Sequence, residues 1–241
     1  MNGRVSPSVA NSHRLVALLL LVLLPLIAPI AKAADDREPR NLVDQSRITL
    51  ENFVADSNMT WFRDHVKDAK GVFIVPQFLK AAFFLGGAGG SGVFLAKDGK
   101  TGDWSEPAFF TMGAGSFGFQ FGAQASEVVL LVLTQRGVDS LLSGTFKLGA
   151  DGSVAVGPVG AGVAGATTPN LSADLLSFVR AKGLFAGVSL EGAVLTARDE
   201  WSKNYYDRPV SPTDIVIRHE VKNLHSEPLR GALRKASEGP R

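Results

Sequence analysis

A glycine cluster within residues 85–95 most restricts the folds open to this chain. The stretch reads LGGAGGSGVFL, and Gly87, Gly89 and Gly92 fit the G-x-G-x-x-G spacing of dinucleotide-binding loops. Such a loop follows a strand and opens a helix whose N-terminus holds the pyrophosphate. Here the order is reversed, because residues 76–84 predict a short helix that begins at a proline, and the apolar run after the cluster predicts a strand. The cluster therefore indicates close backbone packing, not a nucleotide site.

The N-terminal segment has the three parts of a secretory signal. A basic stretch without acidic residues precedes an apolar run over residues 15–30, and Ala31-Lys32-Ala33 provides an A-x-A cleavage signal. An uncleaved anchor is the alternative, but a 16-residue run with two prolines is shorter than the roughly 20 residues that span a bilayer. We therefore expect residues 1–33 to be a signal peptide and the protein to be exported, either periplasmic or secreted and peripheral to a membrane.

Charge and cysteine content exclude several classes of function. Without residues 1–33 the chain has 22 basic and 23 acidic side chains, a net charge of −1, so no strong attraction to nucleic acid is expected. The chain contains no cysteine, which excludes a lipid-modified cysteine, a cysteine nucleophile and a thiolate metal site. The remaining 208 residues are enough to bury a sizeable core without disulfides.

The sequence pattern changes from helical to strand-like along the chain. Residues 34–41 are charged and predicted to be disordered, residues 42–66 predict two helices with a break at 56–58, and residues 71–75 predict a buried strand. Further strands are predicted over residues 107–112, 115–125, 127–133, 145–148, 154–156, 178–180 and 184–195, with a short helix over 135–142. These elements favour an α+β fold in which N-terminal helices pack on a glycine-rich, mainly antiparallel curved sheet or barrel-like β core.

The last part of the chain has a different composition. Residues 208–241 begin with the proline-containing, linker-like stretch RPVSP and contain seven basic and four acidic side chains. This composition predicts a solvated polar tail, with one strand at residues 215–217.

No catalytic constellation is evident. His65 has only Asp64 and Asp68 beside it, and the remaining histidines of the exported part, His219 and His225, lie in the predicted tail. There is no H-E-x-x-H motif, and residues 114–118 approach the G-x-S-x-G serine elbow with alanine in place of the first glycine. We therefore expect no enzyme activity, no metal site and no cofactor.

Seven blocks, in order, resemble the SYLF-domain family, a group of actin-binding and lipid-binding domains. They occupy residues 69–76, 86–92, 104–107, 118–123, 157–160, 182–192 and 204–206. The residues that carry the resemblance are Gly87, Gly89, Gly92, Trp104, Pro107, Gly118, Gln120, Gly122, Gly157, Pro158, Gly160, Gly183, Leu184, Phe185, Gly187, Gly192 and Tyr206. The resemblance covers residues 42–207.

The resemblance implies lipid and membrane binding without catalytic residues. Eukaryotic members are phosphoinositide-binding modules and some bind actin, whereas exported stand-alone members resemble bacterial envelope proteins. Two features depart from the family: Ala181 stands where many members have serine, and residues 42–55 contain one basic side chain, Arg47, where eukaryotic members have a basic amphipathic helix. One arginine adds little attraction to anionic lipid, and actin is an unlikely partner in an envelope compartment.

The leading hypothesis is a non-enzymatic lipid-binding or membrane-associating protein of the cell envelope. Its candidate lipid-binding residues lie on either side of the glycine cluster and are Lys80, Phe83, Phe84, Leu85 and Lys97. One alternative is a structural or scaffold envelope protein that binds a protein partner. A third hypothesis is a small outer-membrane barrel.

Overall fold

The computed structural model describes residues 36–82, 85–117, 122–160, 172–181 and 190–239. Within these ranges, eight strands form one curled sheet in the order β5-β8-β3-β2-β1-β4-β7-β6. The strands are β1 (Gly71–Ala82), β2 (Leu85–Ala96), β3 (Ala108–Phe117), β4 (Gly122–Val132), β5 (Thr145–Lys147), β6 (Val154–Val156), β7 (Leu175–Ala181) and β8 (Val194–Ala197). All pairs are antiparallel except β6 with β7, as the sequence predicts for most of the sheet.

The helices of the described residues lie before, between and after the strands. The α-helices are α1 (Arg37–Ala55), α2 (Thr60–His65), α3 (Gln135–Leu141), α4 (Asp199–Tyr206), α5 (Pro212–Val216) and α6 (Glu227–Glu238). Short 3-10 helices occupy Ser57–Met59, Val66–Asp68 and Leu224–Ser226.

The sheet buries both of its faces. Because side chains alternate along a strand, neighbouring residues of the central strands enter two different hydrophobic clusters. Phe73 and Phe94 belong to the cluster that includes residues of α3 and α5, whereas Val72 and Val93 belong to the cluster that includes α1 and α6. The fold is therefore an α+β arrangement with helices on both faces of a mainly antiparallel curled sheet, which confirms the predicted class.

Residues 76–82 form a strand, so the short helix predicted over residues 76–84 is wrong. Pro76 lies inside β1, where the pairing register shifts between Val75 and Phe78, a site at which a residue without an N–H is tolerated. Phe78 is buried in the core while Leu79 on the opposite face is half exposed, an alternation that belongs to a strand. Phe83 and Phe84 lie outside the described residues.

The N-terminal segment is helical from Arg37, whereas the sequence predicts disorder over residues 34–41. Pro39 is buried in the first turn of α1, and Arg40 pairs with Asp36 across 2.8 Å. Tertiary burial of one face therefore stabilises a charged stretch whose composition alone indicates disorder. Residues 34 and 35, and the predicted signal peptide, lie outside the described residues.

The C-terminal segment belongs to the folded domain and is not a solvated tail. Leu229 and Leu233 of α6 are fully buried against α1 and its surroundings. The strand predicted over residues 215–217 is wrong, because Ile215 and Val216 lie in α5 and Ile217 follows its end. Helix α5 starts with a capping box between Ser211 and Asp214. Composition suggested a polar tail because charged residues outnumber the apolar ones. The few apolar residues of α6 recur at helical spacing, and together they form its buried face.

The remaining strand predictions agree with the structure in part. Strands are present at the predicted positions 107–112, 145–148, 154–156 and 178–180, and a helix at 135–142, although the ends of most of these elements differ. The strands predicted at residues 71–75 and 127–133 are longer in the structure, because β1 extends to Ala82 and β4 begins at Gly122. Of the strand predicted over residues 184–195, the described part is wrong up to residue 193, because β8 begins at Val194. The predicted strand over residues 115–125 is divided, because Gly115–Phe117 end β3 and Gly122–Ala125 begin β4. Residues 118–121 and 182–189 lie outside the described residues.

Candidate functional site

The structure separates the two lysines that the sequence analysis placed near each other. Lys80 pairs with Ala88 of β2 and lies near the end of β1, whereas Lys97 follows β2 beside Lys70, at the start of β1. Ten residues of extended strand span roughly 30 Å, so these lysines lie at opposite ends of the sheet. The backbone of Leu85 begins β2 at the Lys80 end.

Lys97 lies in a basic pocket, here called the lysine pocket, at the end of the sheet where β1 starts. Its volume is about 340 Å³. Its lining consists of Lys70, Ala96, Lys97, Asp98, Gly99, Lys100, Gln135, Val138, Val216, Ile217 and His219. These residues come from the start of β1, the turn after β2, the start of α3 and the end of α5, so segments far apart in sequence build one site.

Backbone hydrogen bonds hold the lysine-bearing segments together. The amide of Lys70 donates to the Val132 carbonyl at 2.8 Å, and the amide of Lys97 donates to the Lys70 carbonyl at 2.8 Å. The Lys97 ammonium donates to the Lys67 carbonyl at 3.2 Å and lies 5.4 Å from the centre of the Trp104 ring. Lys97 is therefore fixed in direction by a carbonyl and by a cation–π contact.

Asp98 is the one carboxylate that lines the pocket, and the turn uses it. Its Oδ1 accepts the amides of Lys100 at 2.7 Å and Thr101 at 2.8 Å. Its Oδ2 lies 3.1 Å from His219 Nε2. Hydrogen bonds from the Thr101 and Lys100 amides, with a further contribution from His219, lower the pKa of Asp98 to about 2. The carboxylate is therefore charged at neutral pH, where it holds the turn and offsets one of the three lysine charges of the pocket.

Two cations and an apolar side chain of the pocket face solvent. Lys70 and Lys100 are exposed, and within the described ranges neither ammonium has a hydrogen bond or an ion pair. Ile217, which follows α5, is 47 % exposed. Exposed lysines around an apolar side chain can bind an anionic surface and can also contact its apolar layer.

The family-signature glycines mainly have a packing role. A Cβ on Gly92 would lie 2.6 Å from the Ile74 carbonyl oxygen, and a Cβ on Gly157 would lie 2.2 Å from the Phe178 ring. A Cβ on Gly89 would lie 3.3 Å from the Met112 carbonyl oxygen, whereas a Cβ on Gly87 would have no heavy atom within 4 Å. Gly192 has a φ of 79°. The glycine cluster lies within β2, paired on both sides, so it does not form a phosphate-binding loop.

The other described signature residues join the end of the sheet to α4. Trp104 is buried and bridges to Lys97, and the Tyr206 hydroxyl donates to the Pro107 carbonyl at 2.7 Å. Burial raises the pKa of Tyr206 well above its ordinary value.

The remaining described signature residues lie elsewhere: Gly160 has a φ of 135°, Pro158 is half-buried, and Gly122 pairs with Ala82. Gly118, Gln120, Gly183, Leu184, Phe185 and Gly187 lie outside the described residues.

The histidines lie in three separate places. His65 stacks on Trp61 with ring centres 4.5 Å apart, and His225 contacts the Tyr205 hydroxyl at 3.1 Å. His219 is the one that reaches the lysine pocket, which its place in a predicted tail did not indicate. Among the residues that the structure describes, no group of three or more His, Asp or Glu side chains could hold a metal ion. Ser116, the candidate elbow serine, lies within β3 opposite Gly86.

In the described part of the chain, no helix is both long enough and apolar enough to cross a bilayer.

Comparison with known proteins gives consistent matches. The family described as "Ysc84: Las17-binding protein actin regulator" matches residues 113–236. SH3 domain-containing YSC84-like protein 1 of Bos taurus is 33 % identical over 171 residues, covering 70 % of this chain and 49 % of the relative. Protein YSC84 of Saccharomyces cerevisiae is 37 % identical over 181 residues, covering 70 % of this chain and 38 % of the relative.

A third relative matches over a shorter region. LAS seventeen-binding protein 3 of Saccharomyces cerevisiae is 36 % identical over 146 residues, covering 59 % of this chain and 31 % of the relative. The chain thus spans about half the length, or less, of these curated relatives. No solved structure matches it. The family match, which extends through α5 and most of α6, and the identity to YSC84-like proteins show that this chain belongs to the Ysc84 family, whose domain is also called SYLF.

Proposed function

We propose that this protein is a non-enzymatic, peripheral lipid-binding protein that holds anionic lipid headgroups at the lysine pocket. The observation that carries the proposal is the convergence of Lys70, Lys97 and Lys100 at one end of the sheet. Among the described lining residues, these three lysines outnumber the one carboxylate, that of Asp98. The pocket therefore has an excess of cationic groups that can reach a flat anionic surface.

Electrostatic attraction and a small apolar contact both contribute to the proposed binding. Each lysine near an anionic membrane contributes about 1 kcal/mol, an attraction that falls off within a Debye length of about 8 Å at physiological salt. Ile217 adds an exposed apolar side chain on the same surface. We therefore expect binding that requires anionic lipid and weakens strongly as salt is raised.

The compartment is part of the proposal. The apolar run and the A-x-A signal before residue 34 support export to the cell envelope, either to the periplasm or to the cell surface. Mass spectrometry of the protein from cells that express the full chain would test this. A mature chain beginning at Ala34 supports export, and a chain that keeps residues 1–33 contradicts it.

Vesicle flotation tests the lipid-binding site. The purified protein is mixed with neutral phosphatidylcholine vesicles or with vesicles containing anionic phosphatidylglycerol, at low and high salt. The double variant Lys70→Ala and Lys100→Ala should weaken binding to anionic vesicles about 30-fold, since about 2 kcal/mol of attraction is removed. The matched control is Lys147→Ala with Lys203→Ala, two exposed lysines that do not line the pocket.

Two results would contradict the proposed site. Equal binding of the pocket variant and the control would move the site elsewhere, and Lys80→Ala would then test the opposite end of the sheet. Absence of binding to any vesicle would reject lipid binding itself.

A protein partner is the second candidate function, favoured by the names of the relatives. The family is described as Las17-binding and as an actin regulator, so a partner of this chain could be a protein. The expectation that actin is not that partner depends on export and is open to a direct test. Co-sedimentation with actin filaments, using the same lysine variants, would distinguish an actin-binding surface from a lipid-binding one.

A further inference from the structure

A groove between α1, α2 and the C-terminal end of α6 forms a second cavity, here called the helical groove. Its volume is about 910 Å³, within the range of small-molecule sites. Its apolar lining is Leu50, Val54, Ala55, Ala232, Ala236 and Gly239, and its charged lining is Glu51, Arg63, Lys235 and Glu238. None of these residues lines the lysine pocket, so the two sites are separate.

The apolar floor of the groove has small side chains. Two alanines of α6, Ala232 and Ala236, face Val54 and Ala55 at the end of α1 across the groove. Small side chains on two neighbouring helices leave a long gap that a narrow apolar chain can fill. Filling it removes apolar surface from water, which is the main source of affinity in such sites.

The charges at the rim favour an anionic end group. Arg63 Nη2 donates to Thr60 Oγ1 at 3.0 Å, and its Nη1 donates to the Asp56 carbonyl, which fixes the guanidinium beside the groove. Lys235 is exposed, and its ammonium has no partner in the part of the chain that the structure describes. Of the two acidic rim residues, Glu51 is bonded to Arg47 at 2.7 and 2.8 Å. The rim therefore presents two cations from different elements and one carboxylate, Glu238, without an ion pair among the described residues.

We propose that the helical groove binds one single-chain anionic amphiphile, of the fatty-acid class, with its acyl chain along Val54, Ala55, Ala232 and Ala236. The carboxylate of the amphiphile lies between Arg63 and Lys235. This site takes a free amphiphile from solution and does not depend on the membrane-binding role of the lysine pocket. The protein would thus carry a lipid monomer at one site while it contacts a membrane at another.

Isothermal titration with soluble amphiphiles below their micelle concentrations tests the ligand class. Dodecanoate should bind at one site per chain, and about 15-fold more tightly than decanoate, because each added methylene strengthens binding about fourfold. Dodecyltrimethylammonium, with the same chain and a cationic head, should bind more weakly than dodecanoate. Lys235→Glu should remove this preference, whereas the control Lys147→Glu should retain it.

A groove-filling variant tests the location. Ala55 is exposed at the end of α1, so Ala55→Trp should occupy the groove without disturbing the core and should weaken dodecanoate binding at least tenfold. Ala150→Trp places the same side chain on an exposed turn and should bind as the wild type does. Absence of saturable dodecanoate binding, or equal binding by the two tryptophan variants, would overturn the proposal.

A measurement on the wild-type protein makes the test independent of variant folding. Dodecanoate should shift the amide resonances of Ala55, Arg63 and Lys235, and shifts confined to residues outside the groove would reject the site. Ala55→Trp should bind anionic vesicles as the wild type does, and Lys70→Ala with Lys100→Ala should still bind dodecanoate. Failure of the groove proposal and failure of the lysine-pocket proposal are therefore distinguishable.

Discussion

Neighbouring glycines of β2 have different surroundings although they belong to one motif. Gly90 lies against the preceding strand, where an added Cβ would be 2.3 Å from the Gln77 carbonyl oxygen and 2.8 Å from Val75 Cγ1. Gly87, three residues earlier, is exposed, and a Cβ added there would have no heavy atom within 4 Å. The same residue type therefore has a packing requirement at one position and none at the other.

This contrast predicts unequal effects of the same substitution. Gly90→Ala should lower the free energy of unfolding by about 1–3 kcal/mol, because the added methyl group would overlap the Gln77 carbonyl and the Val75 side chain of β1. Gly87→Ala is the matched control and should change the free energy of unfolding by less than about 0.5 kcal/mol. Urea unfolding measures both. An equal decrease in the free energy of unfolding in the two variants would show that the difference in packing does not affect stability.

At the residue scale, the sequence predicts contacts only within a motif. The glycine cluster could be assigned to packing because its flanking pattern excluded a phosphate loop, and the structure agrees in placing Gly90 and Gly92 against β1. The convergence of Lys70 with Lys100 and His219 could not be predicted. It depends on how β1, the turn after β2 and α5 pack together, and no local sequence pattern predicts that packing.

Helix α6 is held to the rest of the fold by apolar burial along one face. Leu233 is fully buried, whereas the next residue, Arg234, pairs with Glu227 of the same helix at the surface. Leu233→Ala should lower the free energy of unfolding by about 2–5 kcal/mol, since the removed methyl groups leave a cavity. Arg234→Ala should lower it by less than about 1 kcal/mol. Thermal and urea unfolding would measure both, and a Leu233→Ala protein as stable as the wild type would restore the interpretation of a solvated tail.

A buried carboxyl provides a second anchor between α6 and the segment before β3. Glu106 accepts the Ser226 hydroxyl at 2.7 Å and lies 3.3 Å from Arg230 Nη1. Burial raises its pKa above the ordinary 4.5, although Ser226 and Arg230 act in the opposite direction. A raised carboxyl pKa means that the folded state binds the proton more tightly than the unfolded state does. The stability contributed by Glu106 therefore decreases as pH rises from the ordinary pKa of 4.5 through the raised pKa of the folded state.

Glu106→Gln tests this pH dependence. Glutamine resembles the protonated carboxyl, so the two proteins should be similarly stable at pH 4. Above the raised pKa, the wild type should lose stability relative to the variant, because it alone must keep a buried charge. Unfolding free energies measured from pH 4 to 8 decide the matter, and a difference that is constant over this range would exclude a titrating Glu106.

At the element scale, a strand with a continuous apolar run was predictable, and elements stabilised by distant contacts were not. The run at residues 128–133 that follows Glu127 is apolar throughout, and residues 128–132 lie in the inner strand β4. Proline at position 76 instead suggested a helix start, and only pairing with β2 and β4 makes that segment a strand. The sequence predicts a helix over most of α1 but not over residues 37–41, and it does not predict α6. In both cases an apolar face packs on the sheet and on the other helix, which stabilises a charged stretch as helix.

The two faces of the sheet share the same central strands, so we expect the two hydrophobic clusters to unfold together. Leu141 of α3 is buried on one face, while Trp104 lies within the cluster of the other face and Trp61 and Trp201 pack against that cluster. Leu141→Ala should lower the free energy of unfolding by about 2–5 kcal/mol. The loss should appear equally in tryptophan fluorescence and in far-ultraviolet circular dichroism, because one face cannot unfold while the other remains packed. Separate transitions for the two signals would show that the faces unfold independently.

The outermost strands of the described sheet are both short. β5 and β6 have three residues each, whereas the four central strands have ten to twelve. A long, flat outer strand offers a row of free amides and carbonyls on which another chain can align and start a fibril. With so few such groups at either margin of the described sheet, a neighbouring copy finds little backbone to pair with, so even at high concentration the protein should not polymerise through its strands.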